Sequence, residues 1–340
     1  MEKGPRDMRS LLKNIALTYA PELLVDGSGS QLHRIYGVYA LSRAYNISYV
    51  HSPIQKIGYQ GVRALEKNEE NLELVERYNK TFQIPSDVDV PSDAIIMTQF
   101  QVEEALLQEL IEKAKQNPSR FFLLRIGFPM TITDAKPIIF EHARKLSPFS
   151  KEYSSIFRIA IHVRWGDLLI GHEDRLLPNE YYIAAATKVI EILRKRNISF
   201  VCELHTELPT ASFLVTPQHH GIKNRMQEYR LKKSVILTPE QYRISDFEVL
   251  PRLQKRINED PITTLEALST ADLLIMSKSS FSYLAALFNQ KGKSLYAPFW
   301  HPPMSDWLRP FPPVFFEEQL EEYCEECLSE HSHLSKRHWG

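Results

Sequence analysis

Phe157-Arg-Ile-Ala-Ile-His-Val-Arg-Trp-Gly-Asp167 is an apolar run that turns polar at its carboxyl end. Residues 157–163 suit a strand buried on both faces, as the strands of parallel sheets are. In open α/β sheets, ligands sit beyond the carboxyl ends of the strands. His162, Arg164, Gly166 and Asp167 would then border a ligand crevice. An arginine there offers a planar fork of donors to phosphate oxygens. Gly166 allows a tight backbone, and Asp167 supplies a nearby carboxylate. The competing reading is an Arg164–Asp167 ion pair that caps the sheet.

Outward from this strand, periodicity predicts alternating elements. Towards the C-terminus it predicts a helix over 179–196, strands over 198–205 and 235–237 and a helix over 263–269. A strand over 273–277, a helix over 280–288 and a strand over 294–296 follow. Towards the N-terminus, 22–25 reads as a strand, followed by a helix through Leu32, Ile35, Tyr36, Tyr39, Ala40 and Arg43. Strands over 47–51 and 121–126 and helices over 65–78 and 102–114 complete that half. Strands alternating with helices imply parallel sheets covered on both faces. Composition breaks between 146 and 155, around Ser147-Pro-Phe-Ser150. The expected fold is therefore α/β, with two Rossmann-like domains facing a cleft. Residues 1–150 would form one domain and 151–316 the other, followed by an acidic surface helix in the tail 317–340.

Three further stretches end a strand in polar or small residues. Asp26-Gly-Ser-Gly-Ser-Gln31 is the most glycine-dense point of a chain with only 12 glycines. Small residues before a helix N-terminus suit an anion such as a diphosphate. Leu32 stands where the third glycine of the dinucleotide fingerprint belongs, and no Gly-Lys-Ser/Thr follows, so neither that fingerprint nor a P-loop is present. An ordinary turn into a helix is the plainer reading. Met276-Ser-Lys-Ser-Ser-Phe-Ser282 puts hydroxyls at a helix start, as caps or as donors to phosphate. Val201-Cys-Glu-Leu-His-Thr-Glu207 could hold a ribose or a base through His205, or be an ordinary loop.

Charge and composition exclude several classes. The chain has 340 residues, about two domains' worth, with 43% hydrophobic and 24% charged residues. Its 41 basic and 42 acidic residues give no basic excess, which argues against a nucleic-acid partner. No run approaches the roughly 18 apolar residues of a membrane span, and no signal-like core follows Met1. Cys202, Cys324 and Cys327 cannot form a disulfide framework. These features point to a reducing, cytoplasmic setting, where the sequons at Asn46, Asn79 and Asn197 carry no meaning. Cys324, Cys327 and the histidines after them have irregular spacing for zinc. Asp87-Val-Asp89 lies in a proline-flanked loop, His219-His220 in a solvated one, and no G-x-S-x-G elbow is present.

In order, Gly27-Ser-Gly-Ser-Gln31, His162-Val-Arg-Trp-Gly-Asp167 and Ser277-Lys-Ser-Ser-Phe-Ser282 resemble the GDP-fucose-dependent fucosyltransferases of the α-1,2, α-1,6 and protein-O type. The anchors span residues 26 to 290. The resemblance implies a GT-B architecture and inverting, metal-independent transfer of L-fucose from GDP-fucose to a hydroxyl of a glycan acceptor. The competing readings are a glycosyltransferase with another nucleotide-sugar donor and a catalytically inactive nucleotide-binding or scaffold protein of the same fold. No cofactor besides the donor substrate is implied. Arg164 would bind the donor diphosphate and favour departure of GDP. Gly27, Ser28, Gly29, Ser30, Gln31, Ser279, Ser280 and Ser282 would contact phosphates or fucose, with His162 and Asp167 shaping the pocket. Phe281, which could stack or pack, and His205 are further donor-site candidates from the residues themselves. Asp167 and Glu173 are the first candidates for a general base, before Asp174 and Glu207. Trp165 stands where the family often has a second basic residue, and residues 203–207 replace a common Ser/Thr-Asp pair.

Overall fold

Strand β5 (Phe157–His162) is the central strand of a five-stranded parallel sheet. The computed structural model describes residues 11–58, 62–67, 72–151, 154, 156–169, 175–218, 234–309, 318, 319 and 321–323. These fall into two units. The first holds the described residues of Met1–Val25, Ser30–Ile57 and Leu72–Leu146. The second holds those of Asp26–Gly29, Gly58–Asn71 and Ser147–Gly340.

The first unit is built on β1 (Leu12–Tyr19), β2 (Ile47–Tyr49), β3 (Ile95–Gln101) and β4 (Phe122–Phe128), all parallel in the order β2-β1-β4-β3. Its helices are α1 (Ser28–Ala44), which begins in residues of the second unit, α3 (Leu72–Thr81), α4 (Glu104–Gln116), α5 (Met130–Thr133) and α6 (Glu141–Arg144). Ile15, Ala16, Leu17, Leu124 and Ile126 are sealed at 0% exposure, because neighbouring strands and helices cover both faces of the inner strands.

The sequence expectations need four corrections in or near this unit. The 22–25 run is not a strand: Pro21–Leu23 is a 3-10 turn, and the strand is β1 before it. Proline fixes φ and lacks an N–H, so a strand cannot continue through Pro21. Ser28 to Gln31 do not form a loop but the first turn of α1. The expected 65–78 helix is two helices, α2 (Val62–Lys67) and α3. Strand β3 carries no clear alternation, being an edge strand paired only to β4 with most of its residues exposed.

The second unit follows β5 with α7 (Asn179–Lys195), β6 (Phe200–Thr206), β7 (Phe213–Val215), β8 (Val235–Leu237) and β9 (Leu253–Ile257). Then come α8 (Pro261–Ser269), β10 (Leu273–Ile275), α9 (Ser280–Phe288) and β11 (Lys293–Leu295). The sheet order is β11-β10-β5-β6-β9, every pair parallel. Counted along the chain this is 3-2-1-4-5 read from the other edge, the Rossmann order. The chain reverses its direction of travel across the sheet between β5 and β10. That topological switch point is where a crevice opens at the carboxyl ends of such strands.

Residues 235–237 are a strand, but not one of this sheet. They pair antiparallel with β7, and β9 takes the expected sheet position. Its sequence, Leu-Gln-Lys-Arg-Ile, is polar because it lies at the sheet edge. Of the expected tail helix, residues 318, 319 and 321–323 are described, and Tyr323 among them is packed inside. Tyr323 is 5% exposed, meets Phe157 edge-on at 6.3 Å and donates to the Asp272 carbonyl at 2.9 Å. Among the described residues no helix is long and apolar enough to cross a membrane.

Candidate functional site

The switch point places the ends of β5 and β10 side by side, with Ile161 registered on Ile275. His162 closes β5, and Ser277 follows β10 by two residues. Helix α9 then starts with Ser279 as its N-cap, whose hydroxyl accepts from the Phe281 N–H at 3.2 Å. One serine of the group is therefore a cap, as helix starts demand.

The other two serines turn to the histidine. Ser282 Oγ lies 2.5 Å and Ser277 Oγ 3.1 Å from His162 Nδ1. The Phe281 ring centroid is 5.4 Å from that of His162. Gly29 is pressed against the same turn. A Cβ built there would lie 2.7 Å from both Phe281 Cα and N, closer than any side chain tolerates. The glycine is required by close approach of two backbones. Thus Gly29, His162 and Phe281–Ser282, one from each motif, meet around the first turn of α9. Ser280 is 8% exposed and Ser282 fully buried. Gln31 is buried in the first unit and gives its amide to the Lys56 carbonyl at 2.8 Å.

Arg164 leaves the sheet two residues after His162 and is half-buried. Its Nη1 is 4.0 Å from Glu207 Oε2, and that oxygen accepts from the Val62 N–H at 3.0 Å. Trp165 points the other way. It is 6% exposed and packs edge-on against Tyr242 and Phe247 at 5.4 and 6.2 Å. The position that could have carried a second cation therefore belongs to the core. Gly166 has φ 37°, in the left-handed region that favours glycine, and opens the 3-10 turn Gly166–Leu169. Asp167 lies in that turn. Its side chain, all of Glu173 and Asp174, His219-His220, and the Cys324 and Cys327 stretch lie outside what is described.

His205 is the register partner of His162 on β6. It is 1% exposed, and neither ring nitrogen has a hydrogen-bond partner among the described residues. Glu259 Oε2 stands 3.6 Å from its Nδ1, beyond hydrogen-bond reach. Burial holds both imidazoles neutral. Desolvation, then Arg164 and His205, takes His162 down to about 3. Desolvation takes His205 down to about 4 against the opposing pull of Glu203, with Arg158 and Arg256 adding to the fall. Among the described residues, no group of three or more His, Cys, Asp or Glu is arranged to hold a metal ion.

Two features take their role only from the structure. Arg175 donates to the Lys278 carbonyl at 3.2 Å and lies over the Phe299 and Trp300 rings at 5.3 and 4.6 Å. Trp300, stacked on Phe299 at 4.5 Å, is 64% exposed. Arg175 lies more than a hundred residues from Phe299 and Trp300 in sequence, so no local pattern marks this group. Likewise the Asp87-Val-Asp89 loop serves structure. Asp87 takes Arg43 in a two-pronged ion pair and accepts the Tyr49 N–H at 2.7 Å.

No protein-family model matches the chain, and no curated protein matches it. Among solved structures it is similar to E. coli heptosyltransferase WaaC with ADP-2-deoxy-2-fluoro heptose. That likeness has a TM-score of 0.36 at 12% identity, over 93% of this chain and 99% of the other. The same enzyme with ADP gives 0.35 at 11% identity, over 84% and 88%. A protein described as a UDP-N-acetylglucosamine 2-epimerase from Listeria monocytogenes gives 0.34 at 8% identity, over 94% and 89%. Likeness this distant does not bear on activity. The topology stands by itself: the chain is an α/β protein of two parallel-sheet units, the second in Rossmann order.

Proposed function

We propose that the protein is a glycosyltransferase of GT-B type that takes a nucleotide sugar, GDP-fucose, and moves L-fucose to a hydroxyl of a glycan acceptor. One observation carries this reading: Gly29, His162 and Phe281–Ser282, separated by more than a hundred residues, converge at the switch point of a Rossmann-ordered sheet. Crevices of that kind bind nucleotides. The order and content of the three motifs support the fucosyl part of this reading.

In the proposed reaction the acceptor oxygen attacks the anomeric carbon from the face opposite the phosphate. The bond from that carbon to the phosphate oxygen breaks, and GDP leaves with the electron pair. The acceptor proton passes to a base, with Asp167 and Glu173 as first candidates. Arg164 stabilises the charge that develops on the leaving diphosphate. Preorganised donors aimed at developing charge are worth several kcal/mol in such reactions. The core position of Trp165 leaves Arg164 without the second cation usual in that family. Transfer from a different nucleotide sugar is therefore the second reading.

The test is release of GDP from GDP-fucose by the purified protein, with water or an added sugar as acceptor. The reading expects turnover that persists in EDTA and falls at least about a hundredfold in Arg164→Ala. A strict requirement for added Mg²⁺ or Mn²⁺ contradicts the metal-independent mechanism. Turnover of UDP- or ADP-sugars alone moves the assignment to the second reading.

A further inference from the structure

Ser277, Ser282 and Nδ1 of His162 form a set of polar atoms in which each hydrogen bond can be assigned a donor. The residues are 2%, 0% and 7% exposed. The Ser277 N–H donates to Ser282 Oγ at 3.1 Å. Ser277 Oγ lies 3.1 Å from both Ser282 Oγ and His162 Nδ1, and Ser282 Oγ lies 2.5 Å from that nitrogen. A hydroxyl has one hydrogen and two lone pairs, and a neutral imidazole has one donor and one acceptor nitrogen.

Suppose Nδ1 carried the proton. Ser282 Oγ would then accept from Nδ1 and from the Ser277 N–H, and send its own hydrogen to Ser277 Oγ. The Ser277 hydrogen would be left buried with no acceptor among the described residues, which costs about 1–3 kcal/mol. Suppose instead that Nδ1 is the acceptor. One hydroxyl donates to the other and the second donates to Nδ1, so both hydroxyl hydrogens and the Ser277 N–H find acceptors, and only the Nε2–H is left to be satisfied from outside the set. The count selects the tautomer with its proton on Nε2.

That N–H has no partner among the described residues, yet it stands at the carboxyl end of β5, beside the switch point, where sheets of this order bind ligands. The groups that bear on the ring are Arg164 beyond its own strand, His205 on β6 and the Phe281 face from α9. Arg164 and His205 both disfavour the imidazolium. A neutral, fixed N–H with Arg164 in electrostatic range suits an anionic oxygen.

We infer that Ser277 and Ser282 are positioning residues that lock His162 as an Nε2–H donor to a phosphate oxygen of the nucleoside diphosphate. The second half of this inference rests on the nucleotide-sugar reading; the first half does not. Ser282 then acts through His162 rather than on the ligand.

The test uses the full chain labelled with ¹⁵N-histidine, followed by long-range ¹H–¹⁵N correlation spectra. His162 is identified by the signal missing from His162→Gln. At pH 7 the free protein is expected to show the Nε2–H pattern, and GDP is expected to move Nε2 more than Nδ1. In Ser282→Ala the pattern is expected to become a mixture of tautomers, and GDP binding to weaken about tenfold, roughly the worth of one hydrogen bond. Ser282→Thr, which restores the hydroxyl, is expected to recover both, and Ser277→Ala to show a weaker form of the same loss. An Nδ1–H pattern or an imidazolium at pH 7 overturns the relay. An Nε2–H pattern whose nitrogen is unmoved by bound GDP overturns the phosphate contact. Failure of the folded protein to bind GDP, UDP or ADP overturns the nucleotide reading and that contact together, while the tautomer is read independently.

Discussion

At the scale of single residues, His205 is the most informative side chain. A buried imidazole whose two nitrogens find no partner among the described residues carries a desolvation cost with no return from folding. Groups of that kind are kept for a ligand or for strain. His205→Leu should therefore leave the protein as stable as before or up to about 1 kcal/mol more so, while weakening GDP binding. Loss of several kcal/mol in chemical unfolding would make it structural instead. Its titration gives an independent check. The folded value, about 4, lies below the ordinary 6.5. Between those limits the unfolded chain binds a proton and the folded chain does not. Stability from this group is thus complete above pH 6.5 and is lost as pH falls towards 4. His162 acts in the same direction down to about 3. His205→Leu should flatten part of the acid slope of unfolding free energy against pH. His162 and Arg164 were legible in the sequence because polar side chains interrupt an otherwise apolar strand end. The role of Ser282 was not legible, because it depends on a hydrogen count across residues 115 or more apart in sequence.

At the scale of elements, legibility followed burial. β5 and α9 are covered on all sides, and their apolar runs mark them closely. β3 and β9 are edge strands defined by their pairing to β4 and β6. Neither sequence carries a clear period-two signal, since little of either is buried. The glycine-rich stretch was read as a loop, but its helical start and its backbone contact with α9 depend on tertiary packing. Gly29→Ala tests that contact. The added Cβ meets backbone at 2.7 Å, and neither helix turn can yield cheaply. A loss of about 1–3 kcal/mol is expected, as for overpacking generally, with weaker GDP binding. Wild-type stability and affinity in this variant would mean that the two turns do not meet.

At the scale of the molecule, the order β11-β10-β5-β6-β9 determines where chemistry can occur. Alternating strands and helices announced a parallel sheet, but the order within it was not written in any local pattern. It is fixed by which apolar faces pack, and the switch point follows from that order. The tail contributes to the same packing. Tyr323 covers Phe157 at the start of the central strand and bonds the Asp272 carbonyl. Asp272 itself holds Lys151 at 2.6 Å and the Arg158 N–H at 2.7 Å. Tyr323→Ala should cost about 3 kcal/mol of unfolding free energy, as large-to-small core changes do. A change below about 0.5 kcal/mol would return the tail to the surface. The account as a whole turns on the crevice between β5 and β10, and calorimetric titration tests it most directly. GDP, UDP, ADP and NAD would each be titrated into the wild-type protein and into Arg164→Ala. The account predicts selective GDP binding that disappears in the variant while its thermal unfolding stays cooperative. Binding of none of the four by well-folded wild-type protein, or GDP binding unaffected by loss of Arg164, would contradict it.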